Sequence, residues 1–217
     1  TQGRFPIEGS YPFVASLDTV GPFADSAGGL RACFEALVRT ENAPVDVGGL
    51  KVARLGGWFA ENMSASMQEA VDALAARLGA KNTVELPEVA RARASAFVIS
   101  ASEGAALHLH RLRTQAKDYD PSVRDRLLAG ALLPASLIFQ AHRLRNWFRA
   151  RMHEAFADAD ILLAPAVVGE APRFDQPLIE VGGKMVSARA NLGLYTQPLT
   201  LAGFPVLTVP MKTAGLP

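Results

Sequence analysis

The sequence predicts an α/β fold in which a mixed sheet is flanked by helices. Short strand candidates stand at 51–55, 83–86, 160–165 and 206–211. Between them the apolar residues recur at helical spacing. The first two runs bracket one helix, the strand–helix–strand order of α/β folds.

Of the 217 residues, 49% are apolar and 20% charged, which predicts a buried core and excludes a disordered chain. A net charge of +1 gives no electrostatic footprint for nucleic acid or an anionic membrane, so neither is expected as a partner. No run approaches the roughly 20 apolar residues of a membrane-spanning helix. The single cysteine, Cys33, excludes a disulfide framework and fits a reducing, cytoplasmic setting. It lies in an apolar helical pattern and reads as a small buried hydrophobe rather than a nucleophile. The chain opens on Thr1-Gln2-Gly3-Arg4 with no initiator Met and closes on Ala214-Gly215-Leu216-Pro217, a turn signal with nothing after it. Both ends therefore read as cuts inside a longer protein, with the sheet truncated at both ends.

In chain order, residues 1–23 carry Gly and Pro too often for a helix and read as loop, with one extended piece at Phe13–Leu17. Ala24–Val38 reads as helix, with Leu30, Phe34, Leu37 and Val38 on one face and Gly28-Gly29 weakening its start. Lys51–Leu55 is a strand ended by Gly56-Gly57. Ser66 with Glu69 makes a capping box for a helix carrying Met67, Val71, Leu74 and Leu78 and stopped by Gly79. Thr83–Leu86 is the next strand. Pro87 to about Leu112 reads as helix, and Asp120-Pro121 starts another that runs to Leu133. Pro134 begins the longest helix, with Leu137, Ala141, Leu144, Phe148, Met152 and Ala155 on its apolar face and Arg143, Asn146, Arg149 and Glu154 opposite. Asp160–Pro165 reads as a buried strand, residues 169–186 as a loop with a hairpin, and Val206–Met211 as a last strand. The strands at 51–56, 160–164 and 206–210 are expected in one sheet. The helix-rich portion, 60–157, is expected as a lid or subdomain.

No active site announces itself. His108 and His110 stand two apart, on different helix faces, and nothing joins His142 and His153 to a Cys or carboxylate pattern, so no metal site is read. Walker, dinucleotide and nucleophile-elbow motifs are absent from the sequence. Basic residues cluster at Arg91, Arg93, Arg111, Arg113, Lys117, Arg124 and Arg126, and again at Arg143, Arg145, Arg149 and Arg151. They read either as solvated helix faces or, for one or two of them, as arginines aimed into a pocket to hold a carboxylate.

Three segments in order resemble the amidase-signature family. Gly3-Arg4-Phe5-Pro6 with Ser16–Ala24 resembles the stretch after that family's catalytic serine loop. Asp160–Ala166 is similar to its "D-x-L-L-x-P" strand. Asn191–Pro198 with Ala202–Pro210 is similar to its late "N-x-x-G-x-P" region. Within the family, Glu103–Leu109 and Asn191–Pro198 most resemble carboxybiuret hydrolase-type enzymes. The likeness to amidotransferase A subunits and allophanate hydrolase is more distant.

The resemblance implies that residues 1–217 are a fragment of one amidase domain, central to C-terminal, whose parent hydrolyses amides with a Ser–cis-Ser–Lys triad. A neutral Lys acts through the bridging serine on the nucleophile, and backbone N–H groups hold the oxyanion. All three triad residues are expected upstream of Thr1, so no residue here is assigned a catalytic role. The chain is expected to supply pocket wall: Asp18 as a buttress, Asn191, Tyr195 and Gln197 as binding groups or as loop hydrogen bonders, and Arg189 as the first choice of anion anchor ahead of Arg111 and Arg113. The substrate class is a small amide of urea or biuret type with a carboxylate. No cofactor is implied, and a small accessory subunit or a second copy is the macromolecular partner expected. The competing readings are a non-catalytic helical interaction or scaffold module and a protein like the amidotransferase A subunits.

Overall fold

A computed structural model describes residues 3–40, 43 and 46–211. The turn expected at 214–217 lies outside the described residues. The chain divides into two compact units: residues 1–49, 98–138 and 203–206 form the first, and residues 50–97, 139–202 and 207–217 the second.

The second unit holds the sheet. β1 (Val52–Leu55) lies between β2 (Asn82–Val84) and β3 (Ile161–Leu163), and both pairings are parallel. The three-stranded sheet is thus parallel throughout, and the antiparallel pair is a separate hairpin. The central strand alternates its burial, with Ala53 and Leu55 inside. β3 is less buried than its sequence suggests: as an edge strand it leaves Ile161 40% exposed. Asp160 fixes its start, accepting from the Lys51 N–H (2.8 Å) through its carboxylate while its own N–H donates to the Lys51 carbonyl.

α2 (Ala65–Arg77) makes the crossover between β1 and β2. Its cap is Ser64 rather than Ser66. The Ser64 hydroxyl accepts from the Met67 N–H (3.2 Å), and Ser66 falls inside the first turn, where the expected pair with Glu69 cannot form a capping box. Met67, Val71 and Ala75 are its buried face, and Leu78 stays exposed. Gly79 stops it in the left-handed region (φ +66°): the N–H of Ala80 reaches the Ala75 carbonyl and that of Gly79 reaches Ala76, a Schellman ending. α3 (Val89–Gln115) is the longest helix, at 27 residues against 21 for α5 (Ala135–Ala155). Sequence reading ranked them the other way because alanine-rich α3 shows little amphipathic contrast. Its buried Val89, Ala92 and Ala96 repeat at helical spacing. Ala141, Phe148, Met152 and Ala155 bury the expected face of α5, while Leu137 at its start is 38% exposed.

β4 (Leu178–Val181) and β5 (Lys184–Ser187) form the expected hairpin. Gly182 and Gly183 both have positive φ (59° and 75°), as a two-residue type I′ turn demands. The chain then runs through α6 (Ala188–Asn191) and α7 (Thr196–Ala202). Residues 206–210 do not join the sheet. They carry no regular secondary structure, no described strand pairs with them, and Val206, Leu207 and Val209 remain 60%, 69% and 47% exposed.

In the first unit, α1 (Ala27–Val38) begins at the Ser26 cap rather than at Ala24 and ends at Arg39. Phe34 packs edge-on against Phe5. Cys33 is exposed, contrary to the buried position expected, because α1 buries no residue fully. The piece at Phe13–Leu17 is a turn, not a strand: the N–H groups of Leu17 and Asp18 both close onto the Val14 carbonyl. α4 (Pro121–Ala131) starts on the expected Asp120 cap. It meets α3 so closely that a Cβ on Gly130 would fall 2.1 Å from the Ala101 carbonyl oxygen. No single described helix is long and apolar enough to cross a membrane.

Tyr195 is the largest fully buried side chain. It packs against Phe59, ring centroids 6.2 Å apart, and its hydroxyl donates to the Glu61 carbonyl. Burial, with a smaller contribution from the Glu61 charge, raises its phenol from 10.0 to about 12.

Two expectations follow. Gly130→Ala should destabilise the chain by about 1–3 kcal/mol or more, since the obstacle is backbone, and denaturant midpoints measure this. Tyr195 should also limit alkaline stability. Its folded-state value is the higher, so its contribution is complete below pH 10 and lost as pH rises through about 12. In Tyr195→Phe the fall in melting temperature over that interval should be shallower than in wild type, against a hydrogen-bond loss of about 1 kcal/mol at neutral pH.

Candidate functional site

The residues from Ser187 to Ala202 are two short helices joined by a glycine turn, so much of their backbone lacks a regular hydrogen-bond partner. Side chains of the second unit supply the missing partners. The Trp58 indole N–H donates to the Leu194 carbonyl (3.2 Å), and Arg145 Nε donates to the Leu201 carbonyl (3.0 Å). Tyr195 ties the segment to Glu61 from within.

Arg93 is the centre of this arrangement. From α3 its Nε donates to Gln197 Oε1 (2.7 Å), and its Nη2 donates to the Ala190 carbonyl (2.6 Å) and to Asn191 Oδ1 (3.2 Å). Its guanidinium lies 5.2 Å from the Phe97 ring centroid. Asn191 in turn donates through Nδ2 to the Ser187 carbonyl (3.0 Å). Arg93 is half-buried, and that desolvation lowers its pKa from the ordinary value.

The expected site residues fall as follows. Arg93 holds Asn191 and Gln197 together on one cation. Tyr195 stands between them in sequence, but its side chain is buried and its hydroxyl engaged with Glu61. Arg189 is exposed on α6, one residue before the carbonyl that Arg93 holds. Asp18 belongs to the first unit, where its carboxylate accepts from the N–H groups of Phe13 (2.8 Å) and Val14 (2.9 Å) and so shapes its own turn. Arg111, also in that unit, donates to the Tyr11 hydroxyl (2.9 Å).

Sequence reading placed Arg93 among the basic helix faces and missed its role. Its three acceptors lie 97 to 104 positions further along the chain, too distant for a spacing argument. The available signal was weak: one arginine within the alanine-rich, otherwise buried face of a helix.

In the first unit, Ser16 is bound twice to Glu103, its N–H donating to Oε2 (3.0 Å) and its hydroxyl to Oε1 (2.5 Å). His108 Nδ1 lies 2.9 Å from the Tyr119 hydroxyl. Among the described residues no group of three or more His, Cys, Asp or Glu side chains is placed to hold a metal ion.

A model of the amidase family matches residues 1–217. The chain is 39% identical over 228 residues to AtzE, a component of the 1-carboxybiuret hydrolase of Pseudomonas sp. (strain ADP), covering 97% of this chain and 50% of that protein. It is 29% identical over 269 residues to the A subunit of the glutamyl-tRNA(Gln) amidotransferase of Synechococcus sp. (strain CC9605), covering 100% of this chain and 53% of that one. A solved structure from a vestigial protein complex, described as revealing the origins of an s-triazine catabolic enzyme, superposes with a TM-score of 0.85 at 38% identity over 93% of this chain and 48% of that one. The chain thus spans about half the length of the curated relatives it matches. The motif-level resemblance and the match along residues 1–217 agree, and the chain belongs to the amidase family.

Proposed function

We propose that this chain serves, within a longer polypeptide, the hydrolysis of a linear amide C–N bond in a small urea- or biuret-type substrate that carries a carboxylate. The observation that carries the reading is the segment from Asn191 to Gln197, pinned by Arg93, in a chain 39% identical to a component of a 1-carboxybiuret hydrolase. A segment fixed by half-buried cations and aromatics keeps its polar groups in place before substrate arrives, and such pre-organisation lowers the cost of binding. In this reading Asn191 and Gln197 meet the substrate, Tyr195 supports them from the core, and Asp18 holds the turn that follows the catalytic loop.

The Ser–cis-Ser–Lys triad lies outside residues 1–217. In support, no stretch of the sequence carries the Gly/Ser-rich triad motif, and the chain spans about half of its relatives' length. The triad's neutral Lys takes the nucleophile's proton through the bridging serine. The nucleophile adds to the amide carbon, the amine leaves with a proton, and water releases the acyl group. The reading calls for no cofactor. The protein works in the cytoplasm. Its partner is a small accessory subunit or a second copy, and the relatives named as subunits support membership of a complex.

A carboxylate in a pocket needs a cation, and Arg189, beside the pinned loop, is placed to supply one. Arg189→Met in the full-length protein should cost roughly 2–5 kcal/mol, or on the order of 30-fold or more in kcat/KM, for a carboxylated amide and far less for a neutral one. Equal losses, or none, remove Arg189 from that role. Residues 1–217 purified alone should release no ammonia from either amide, and turnover there overturns the placement of the triad. Glutamine turnover in place of carboxylated amides would favour a role like that of the amidotransferase A subunits, and no turnover of any amide by the full-length protein would favour a scaffold.

A further inference from the structure

A half-buried arginine is ordinarily matched with a carboxylate, because neutral acceptors offset less of the cost of desolvating a full charge. Arg93 has no such match. Its partners are the side-chain oxygens of Gln197 and Asn191 and the Ala190 carbonyl, all neutral, and no Asp or Glu among the described residues pairs with it. The guanidinium therefore keeps its whole positive charge at the loop.

Donors are also left over. Of the five N–H groups of the guanidinium, those on Nη1 make no hydrogen bond among the described residues. Gln197 turns its oxygen to Arg93, which leaves its Nε2 amide group as a second donor, without a partner among the described residues. The site thus combines an unneutralised cation, spare N–H donors from two side chains, and the ring face of Phe97 beneath. These features complement a small planar anion.

We propose that Arg93, oriented by Gln197, Asn191 and the Ala190 carbonyl, is a specificity-determining contact for a substrate carboxylate, with Gln197 Nε2 as the second donor. The inference deepens the amidohydrolase reading and rests on it for the identity of the anion. It adds to the Arg189 assignment a second cation, on α3, oriented by three acceptors. The alternative is that Arg93 only positions the loop, in which case the charge of the bound molecule is irrelevant.

Oxamate and oxamide separate these possibilities, since the two are nearly isosteric and only oxamate carries a carboxylate beside its amide. Their dissociation constants are measured by calorimetry on the full-length protein. Wild type should bind oxamate more tightly than oxamide. Arg93→Met should weaken both ligands through the segment it holds, and oxamate on the order of 30-fold or more beyond the loss of oxamide. A parallel loss of both ligands, or oxamide bound as tightly as oxamate by wild type, overturns the proposal. If Arg93→Met does not fold, Arg93→Lys decides. It keeps the charge but loses the fork, so it should keep part of the preference for oxamate, and its complete loss or full retention overturns the proposal. The amidohydrolase reading fails separately, through absence of amide turnover by wild type, while the binding comparison still decides Arg93.

Discussion

The residues from Ser187 to Ala202 constrain the rest of the second unit, because short helices and a glycine turn leave backbone carbonyls that no ladder can satisfy. Every such group buried without a partner costs on the order of 1–3 kcal/mol. Arg93, Arg145 and Trp58 meet that demand at Ala190, Leu201 and Leu194, and Tyr195 returns a hydrogen bond to Glu61. These donors come from α3, α5 and the residues after β1, so the segment is fixed by elements distant in the chain.

The cost of this arrangement is a partly desolvated guanidinium. It stays charged because arginine does not give up its proton at any ordinary pH. Its planar donor array also lets one side chain serve two side-chain acceptors and a carbonyl at once. The first unit meets similar needs with two carboxylates. Glu103 takes both the N–H and the hydroxyl of Ser16, and Asp18 takes the N–H groups of Phe13 and Val14. Turns that a sequence marks only as rich in glycine and proline become defined loops through these acceptors.

Much was legible in the residues themselves. The β1–α2–β2 unit, the stop at Gly79 and the cap at Asp120 each depend on neighbours within a few positions, so local chemistry sufficed. The sequence pattern points to Ser66 as the cap of α2, yet Ser64 is equally competent, and the choice rests on where the preceding loop delivers the chain. Cys33 is exposed although its helix is periodic, because apolar periodicity marks a face but does not provide something to cover it. The run at 206–210 has the composition of a strand, yet a strand exists only where a neighbour takes up its backbone groups.

The sequence by itself determined the α/β class, the strand–helix–strand unit, the order of the helices from α1 to α5 and, through motifs spread along the chain, the family. These follow from local periodicity, caps and short motifs. Tertiary structure alone decided that Arg93 rather than another member of the basic clusters holds Asn191 and Gln197, that Tyr195 is a core residue with its hydroxyl engaged, and that Asp18 shapes its own turn. The physical reason is that a hydrogen bond requires an approach of about 3 Å. Across some 100 residues of intervening chain, only the packed fold fixes which groups come that near.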